Sequence, residues 1–325
     1  MKYIAVNEQQ NLIFAETNRP EINANQCLVK VKAIGVNRAD ILQRQGKYPP
    51  PEGESEILGL EVCGDIIACG HKVQKWQLGD KVFGLVAGGG YAQYVAVNSD
   101  HLITLPKQFS YQQGAAIAEV FLTAYQSLFT LAQLKVKQSV LIHAGASGVG
   151  TAAIQLAKAR QCKVTVTVGS TEKATACLEL GADHAINYQQ NDFVLWSKEN
   201  HPQGFDVIID VVSGDYLMKN IKVAALDAKI IILSMLGGRF CSSVDIAKLL
   251  LKRITIQAST LRNRSDKYKT NLVNAFIADF YEALSTGIIQ PVIAQVFPWQ
   301  QAELAQQMLI ENCNIGKVIL QVDDD

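Results

Sequence analysis

The densest chemical signal in the chain is the run Gly145-Ala-Ser-Gly-Val-Gly150. It follows an apolar stretch, Ser139 to His143, and precedes the helix-forming stretch TAAIQLAKAR. A buried strand that enters a glycine-rich turn and leaves through a helix is the context in which such a fingerprint binds a dinucleotide. Gly145 allows the tight turn, and Gly150 lets the helix approach the sheet. The free amides at the helix start, at the positive end of its dipole, suit a pyrophosphate. The middle fingerprint position is Ser147, with an extra glycine at 148, so the approach is narrower but gains a hydroxyl donor. The next strand, Lys163 to Val168, ends in Gly169-Ser-Thr-Glu-Lys173. Units that bind NAD place an acidic residue on the ribose 2′-hydroxyl about 20 residues past the fingerprint. No carboxylate stands at this strand tip to repel a 2′-phosphate. Ser170 and Lys173 offer a hydroxyl and a cation, and Glu172, on the following helix, is able to face solvent. The cofactor read from these residues is NADPH.

Metal chemistry finds no such pattern. Histidines stand at 71, 101, 143, 184 and 201, with no pair at helical i, i+3 or i, i+4 spacing. Cysteines stand at 27, 63, 69, 162, 177, 241 and 313 with no CxxC pair, which reads as reduced, buried thiols in a cytoplasmic protein.

The elements that must position these residues fall into two patterns. The first hundred residues read as short strands punctuated by glycine: Cys27 to Ile34, Val62 to Ala68, Lys81 to Val86 and Tyr91 to Val97. That pattern favours a small barrel or sandwich. Ser110 to Ala132 reads as a helix capped by Ser110. Strands and helices then alternate through Ser139 to His143, Thr151 to Arg160, Lys163 to Val168, Thr171 to Leu180, Asp206 to Val212 and Lys229 to Ser234, the signature of a doubly wound parallel sheet. Ile254 to Thr260 reads as its late edge strand. A helix (Tyr268 to Leu284), a strand (Val292 to Phe297), a helix (Gln300 to Glu311) and a strand (Lys317 to Val322) follow, and Asp323 to Asp325 form an acidic end.

Composition narrows the class. The chain has 325 residues, 49% hydrophobic and 18% charged, enough for large cores and against disorder. Lysine plus arginine and aspartate plus glutamate both number 30, and this balance argues against a nucleic-acid partner. No apolar run is read as reaching the roughly 18 residues that span a bilayer. Asn7 and Glu8 interrupt the amino terminus too early for a signal-peptide core.

Four segments carry a family resemblance: AGASGVGTAAIQLAKA, GVNRADILQRQGKYPPP (35–51), LGDKVFGL (78–85) and NIGKVIL (314–320). They resemble the medium-chain dehydrogenase/reductase superfamily, and within it the zinc-free, zeta-crystallin-like NADPH:quinone oxidoreductases. LLLKRITIQASTLRNRSDKYK (249–269) is most similar to the tumour-suppressor-inducible branch. The resemblance implies an α/β architecture: a GroES-like β-rich catalytic domain from 1–117 and 262–325, and a Rossmann NADPH-binding domain from 118–261. It implies that Ser147, Gly148 and Val149 contact phosphates, and that Ser170, Lys173 and Tyr188 lie at the 2′-phosphate and adenosine. Ser213, Met235, Leu236 and Gly237 would lie along the ribose and nicotinamide, with Tyr48, Asn37, Phe121 and Thr123 near the nicotinamide. Zinc-dependent relatives carry a cysteine where this chain has Asn37 and a histidine where it has Leu60. Neither replacement is an ordinary zinc ligand.

The implied activity is electron transfer from NADPH to a stacked quinone, without metal. Tyr48 would hydrogen bond the acceptor oxygen and Asn37 would shape or polarise the pocket. An alkenal or enoyl reductase is the neighbouring alternative, and a non-catalytic NADPH-binding sensor a second. The implied partners are a small quinone and a second copy of the chain, joined through the edge strand of the Rossmann sheet. Nucleic acid and membrane are not expected.

Overall fold

A computed structural model describes residues 1–323, which leaves the last two residues of the acidic end outside it. The chain divides into two compact units: Met1–Leu122 with everything from Leu261 onward, and Thr123–Thr260. The boundaries read from sequence were 117/118 and 261/262.

The first unit opens with β1 (Lys2–Val6) and β2 (Leu12–Glu16), an antiparallel hairpin that the sequence reading missed. Next come β3 (Gln26–Val36), α1 (Arg38–Arg44), β4 (Glu61–Cys69), β5 (Lys81–Leu85), β6 (Tyr94–Asn98), β7 (Leu102–Thr104), α2 (Tyr111–Gly114) and α3 (Ala118–Tyr125). The second unit holds β8 (Ser139–His143), α4 (Gly148–Ala159), β9 (Lys163–Val168), α5 (Thr171–Glu179), β10 (His184–Asn187) and α6 (Phe193–Asn200). It continues with β11 (Phe205–Asp210), α7 (Tyr216–Val223), β12 (Ala224–Ile232), α8 (Ile246–Lys252) and β13 (Thr255–Ala258). The chain returns to the first unit with α9 (Asp266–Ser285), β14 (Ile293–Pro298), α10 (Ala302–Ile310) and β15 (Lys317–Gln321).

In the first unit one sheet runs β14-β15-β3-β4-β5-β7, with β6 also paired to β3. β3 alternates half-buried and buried residues up to Ala33 and is buried from there to Val36, so one end of the strand is covered on both faces. Register shifts between Leu28 and Val29 and between Val31 and Ala33 bend it against β4. Val29, Val31, Ile34, Val62, Ile66 and Val318 form the core between its strands. α9 buries Lys269, Leu272, Val273, Phe276, Phe280 and Leu284, an apolar stripe at helical spacing whose one cation is Lys269.

The second unit is a six-stranded, all-parallel sheet in the order β10-β9-β8-β11-β12-β13. Counted from β8, this is the 3-2-1-4-5-6 order of a doubly wound dinucleotide fold. β8 is buried at every residue and β11 at all but Asp206, as strands covered by helices on both faces must be.

The run from Ser110 to Ala132 departs from its reading as one helix. Ser110 does cap α2, its hydroxyl accepting from the Gln113 amide at 3.2 Å. α2 ends at Gly114, however, and α3 passes into a π-helical turn over Gln126–Leu131. The stretch Tyr111–Leu131, 21 residues with mean hydropathy 1.2 in its best window, is long and apolar enough to cross a membrane by length and composition. That corrects the reading that no such run exists. Because 72% of the window is buried inside the protein, its apolarity is that of a core helix.

Candidate functional site

Every strand of the second unit's sheet points the same way, so the turns that leave β8, β9, β10, β11 and β12 share one edge. That edge collects Ser147 to Gly150, Ser170 with Lys173, Tyr188, Ser213, and Met235 to Gly237. Ligands in doubly wound sheets bind there, beside the point where strand order reverses, here between β8 and β11.

Ser147 is the N-cap of α4, its hydroxyl accepting from the Gly150 amide at 3.0 Å. That leaves the first-turn amides of Gly148 and Val149 without intrahelical partners, the ordinary anion-binding end of a helix. The hydroxyl of Ser147 is therefore engaged as an acceptor, and its proton remains available to a ligand. The glycines work differently from the sequence reading. The left-handed turn residue is Ala144, at φ 54°, rather than Gly145. Gly145 is needed because a Cβ there would come within 2.5 Å of Val166 on β9, and Gly150 because one there would strike the carbonyls of Ala144 and Gly145.

Ser170 caps α5, its hydroxyl accepting from the Lys173 amide at 3.2 Å. Glu172 is exposed, and Lys173 is half-buried. The Tyr188 hydroxyl would lie 2.6 Å from a Cβ on Gly169, so this ring rests on the tip of β9. Past β11, Ser213 takes φ 57° and donates to the Ser234 carbonyl at 2.7 Å. Met235 and Leu236 are 61% and 54% exposed on that edge. Beneath the edge lies a buried polar chain that sequence reasoning missed. His143 meets Thr167 Oγ1 at 2.9 Å and Asn220 Oδ1 at 2.7 Å. Asn220 donates to Asp210 Oδ2 at 2.9 Å, and Asp210 Oδ1 accepts from the amides of Val212 and Ser213. Burial lowers the His143 pKa, so its neutral form acts as a structural strut.

The first unit buries an unusual amount of charge. The Lys317 ammonium lies 2.6 Å from Glu61 Oε1, with the two side chains 4% and 0% exposed. It also donates to Asn37 Oδ1 at 2.7 Å and the Val36 carbonyl at 2.8 Å. Asn37 spends both amide hydrogens, on the Gly35 carbonyl at 3.1 Å and Glu61 Oε1 at 3.0 Å. The expectation that Asn37 polarises an acceptor is corrected accordingly: it has no hydrogen left to donate, and it holds the ion pair in place. Its backbone amide bonds Asp40 Oδ2 at 2.8 Å, at the start of α1. Asp40, fully buried and bonded by the Tyr91 hydroxyl at 3.2 Å, has its pKa pushed to about 6, chiefly by burial.

Tyr48 sits between Gly46 and the prolines 49–51, half-buried, its ring 5.6 Å from the Arg262 guanidinium carbon. Burial, then Glu119, raises its pKa, and Arg262 opposes that rise. Phe121 is 2% exposed and packs on Phe276 at 6.4 Å, which makes it a core residue of the first unit. Thr123, the first residue of the second unit, accepts the Ser127 hydroxyl on its carbonyl at 2.7 Å.

Residues 148–278 match the family described as zinc-binding dehydrogenase, and residues 23–107 match the alcohol dehydrogenase GroES-like domain. Together with the parallel sheet, these matches define the class, an NAD(P)-dependent oxidoreductase. Quinone oxidoreductase of Lama guanicoe is 31% identical over 300 residues, covering 91% of this chain and 88% of its own. The synaptic vesicle membrane protein VAT-1 homolog of Danio rerio is 29% identical over 318 residues, or 94% of this chain, which spans 66% of that protein's length. The crystal structure of Escherichia coli quinone oxidoreductase complexed with NADPH superposes with a TM-score of 0.86 at 26% identity, over 98% of each chain. The chain belongs to the quinone oxidoreductase family of the medium-chain dehydrogenase/reductase superfamily.

The residues at Asn37 and Leu60 do not fit zinc. Leu60 is 2% exposed in the core, and the Lys317 ammonium already occupies the oxygen of Asn37. A second cation beside that ammonium would be repelled. Among the described residues no three of histidine, cysteine, aspartate or glutamate group as ligands.

Proposed function

We propose that this oxidoreductase uses NADPH to reduce quinones and works as a homodimer. The observation that carries the cofactor preference is the tip of β9, where Glu172 faces solvent and the half-buried Lys173 follows Ser170 at the start of α5. Gly148 and Val149 hold the pyrophosphate with their amides, and Ser147 adds its hydroxyl. Ser170, Lys173 and Tyr188 hold the 2′-phosphate and adenosine. Ser213, Met235, Leu236 and Gly237 follow the ribose toward the nicotinamide, beside Thr123. When bound, NADPH supplies a hydride. A quinone is a strong acceptor and needs little help from a Lewis acid, so the protein contributes position and electrostatics. Tyr48 donates to the acceptor oxygen, and the absence of any protein hydrogen bond to its hydroxyl among the described residues supports this.

Lys173→Glu is expected to weaken NADPH at least tenfold more than NADH, because attraction to the 2′-phosphate becomes repulsion. Titration of both nucleotides checks it, and equal losses would remove Lys173 from the phosphate. NADPH oxidation with a panel of quinones and enals tests the acceptor class. Faster turnover of enals would favour the alkenal reductase reading.

For the dimer, β13 ends the sheet as an edge with Thr255, Ile256 and Ala258 exposed. On neighbouring α8, Leu250 and Leu251 are 73% and 76% exposed. An edge of this kind invites pairing with its two-fold mate. Light scattering at micromolar concentration is expected to give twice the chain mass. A monomer there would count against the proposal.

A further inference from the structure

Arg262 is 4% exposed and anchored through Nε to the Ala87 carbonyl at 2.7 Å, yet both terminal nitrogens are buried without a hydrogen-bond partner among the described residues. Leaving charged donors unmet is expensive, so a site that does so is arranged for something else to meet them. These donors belong to a small cavity lined by Leu85, Val86, Glu119, Leu261, Arg262 and Lys269. Its volume is about 10 Å³, room for about one water. Glu119 faces the same cavity. Its backbone amide is tied to Glu61 Oε2 at 2.9 Å, while among the described residues no hydrogen bond to its carboxyl is formed. Tyr48 lies against Arg262, as described above.

From this cluster we infer that Glu119 is the proton store of the reducing site, passing its proton through a water held by Arg262 to the Tyr48 hydroxyl. The inference rests on the reading of Tyr48 as donor to the acceptor oxygen. In balance, a quinone gains two electrons and one proton as hydride from the reduced nicotinamide. Its second proton comes from Tyr48, which takes one from the water, which takes one from Glu119, and the carboxylate then recovers a proton from solvent.

The charges around Glu119 suit this duty. Burial, then Glu61 on β4, raises its pKa to about 8. Asp40 on α1 adds to that rise, while Lys317 on β15 and Lys269 on α9 oppose it. Arg262 and Tyr48 complete the surroundings. The carboxyl is thus protonated at neutral pH, and the cations on the cavity wall stabilise the carboxylate that remains after transfer.

The test combines infrared titration of the cofactor-free protein with quinone kinetics. A protonated-carboxyl band is expected at pH 7, lost with a midpoint near 8 and absent from Glu119→Gln. Arg262→Met should move that midpoint upward, because a stabilising cation is gone. In kinetics, Glu119→Gln should lower kcat about tenfold and abolish the fall in rate above pH 8. NADPH affinity should stay within twofold of the parent, and Glu119→Asp should restore part of the rate. An active parent that lacks the band, or a Glu119→Gln enzyme with the parent's kcat and pH profile, overturns the inference and leaves the quinone reading intact. A parent inert toward every quinone overturns that reading and this inference together, whether or not the band is present.

Discussion

Tyr48→Phe is expected to lower turnover with quinones by about 100-fold, the scale of losing one donor to a developing oxyanion. NADPH affinity should stay near the parent value, because the ring remains. The tyrosine is mounted on a stiff support, with prolines at 49–51 holding the chain after it and Arg262 5.6 Å from its ring. A rigid mount matters because a misplacement of about 1 Å costs on the order of 100-fold. Tyr48→Ala should go further, freeing Arg262 from the ring and lowering affinity for the acceptor as well. Quinone kinetics beside NADPH titration for both variants measures this. A Phe variant with parent turnover would remove the hydrogen bond and leave a site shaped by packing alone.

Lys317→Met is expected to be the most destabilising single change in the first unit, costing about 3–5 kcal/mol. It strips the cation from Glu61, whose carboxylate is wholly buried and also accepts from Asn37 and the Glu119 amide. At about 2–4 °C per kcal/mol, the melting transition should fall by roughly 10 °C. Adding Glu61→Gln to Lys317→Met should recover more than half of the loss, because the orphaned charge disappears while an acceptor oxygen stays for the Glu119 amide. Calorimetry on the two single variants and the double variant measures the coupling. A Lys317→Met loss below about 1 kcal/mol, the value of an exposed pair, would mean that water reaches the site.

The sequence by itself determined the doubly wound sheet and the glycine turn at its edge, because both rest on local chemistry. An apolar strand, a glycine turn and a capped helix are contiguous, and the limits read for Ser139–His143 and Lys163–Val168 are those of β8 and β9. The short, weakly patterned elements were not legible. At five residues each, β1 and β2 are too short to show a period, as is the seven-residue α1, and their stability comes from packing. The charged cluster of the first unit depended still more on tertiary structure. Asn37, Glu61, Glu119, Arg262 and Lys317 lie up to 280 residues apart, and no spacing rule relates them. Glu61, Glu119 and Lys317 each left one faint trace, a lone charge inside an apolar run, in LGLEVCG, AIAEVFL and NIGKVIL. Such a residue is buried only when partnered, and the sequence cannot name the partner. The fold does so by bringing α1, β4, α3 and β15 around one charged core. There Asn37 has its amide hydrogens consumed, while the terminal donors of Arg262 meet no acceptor among the described residues, because burial and hydrogen-bond geometry are properties of the packed chain alone.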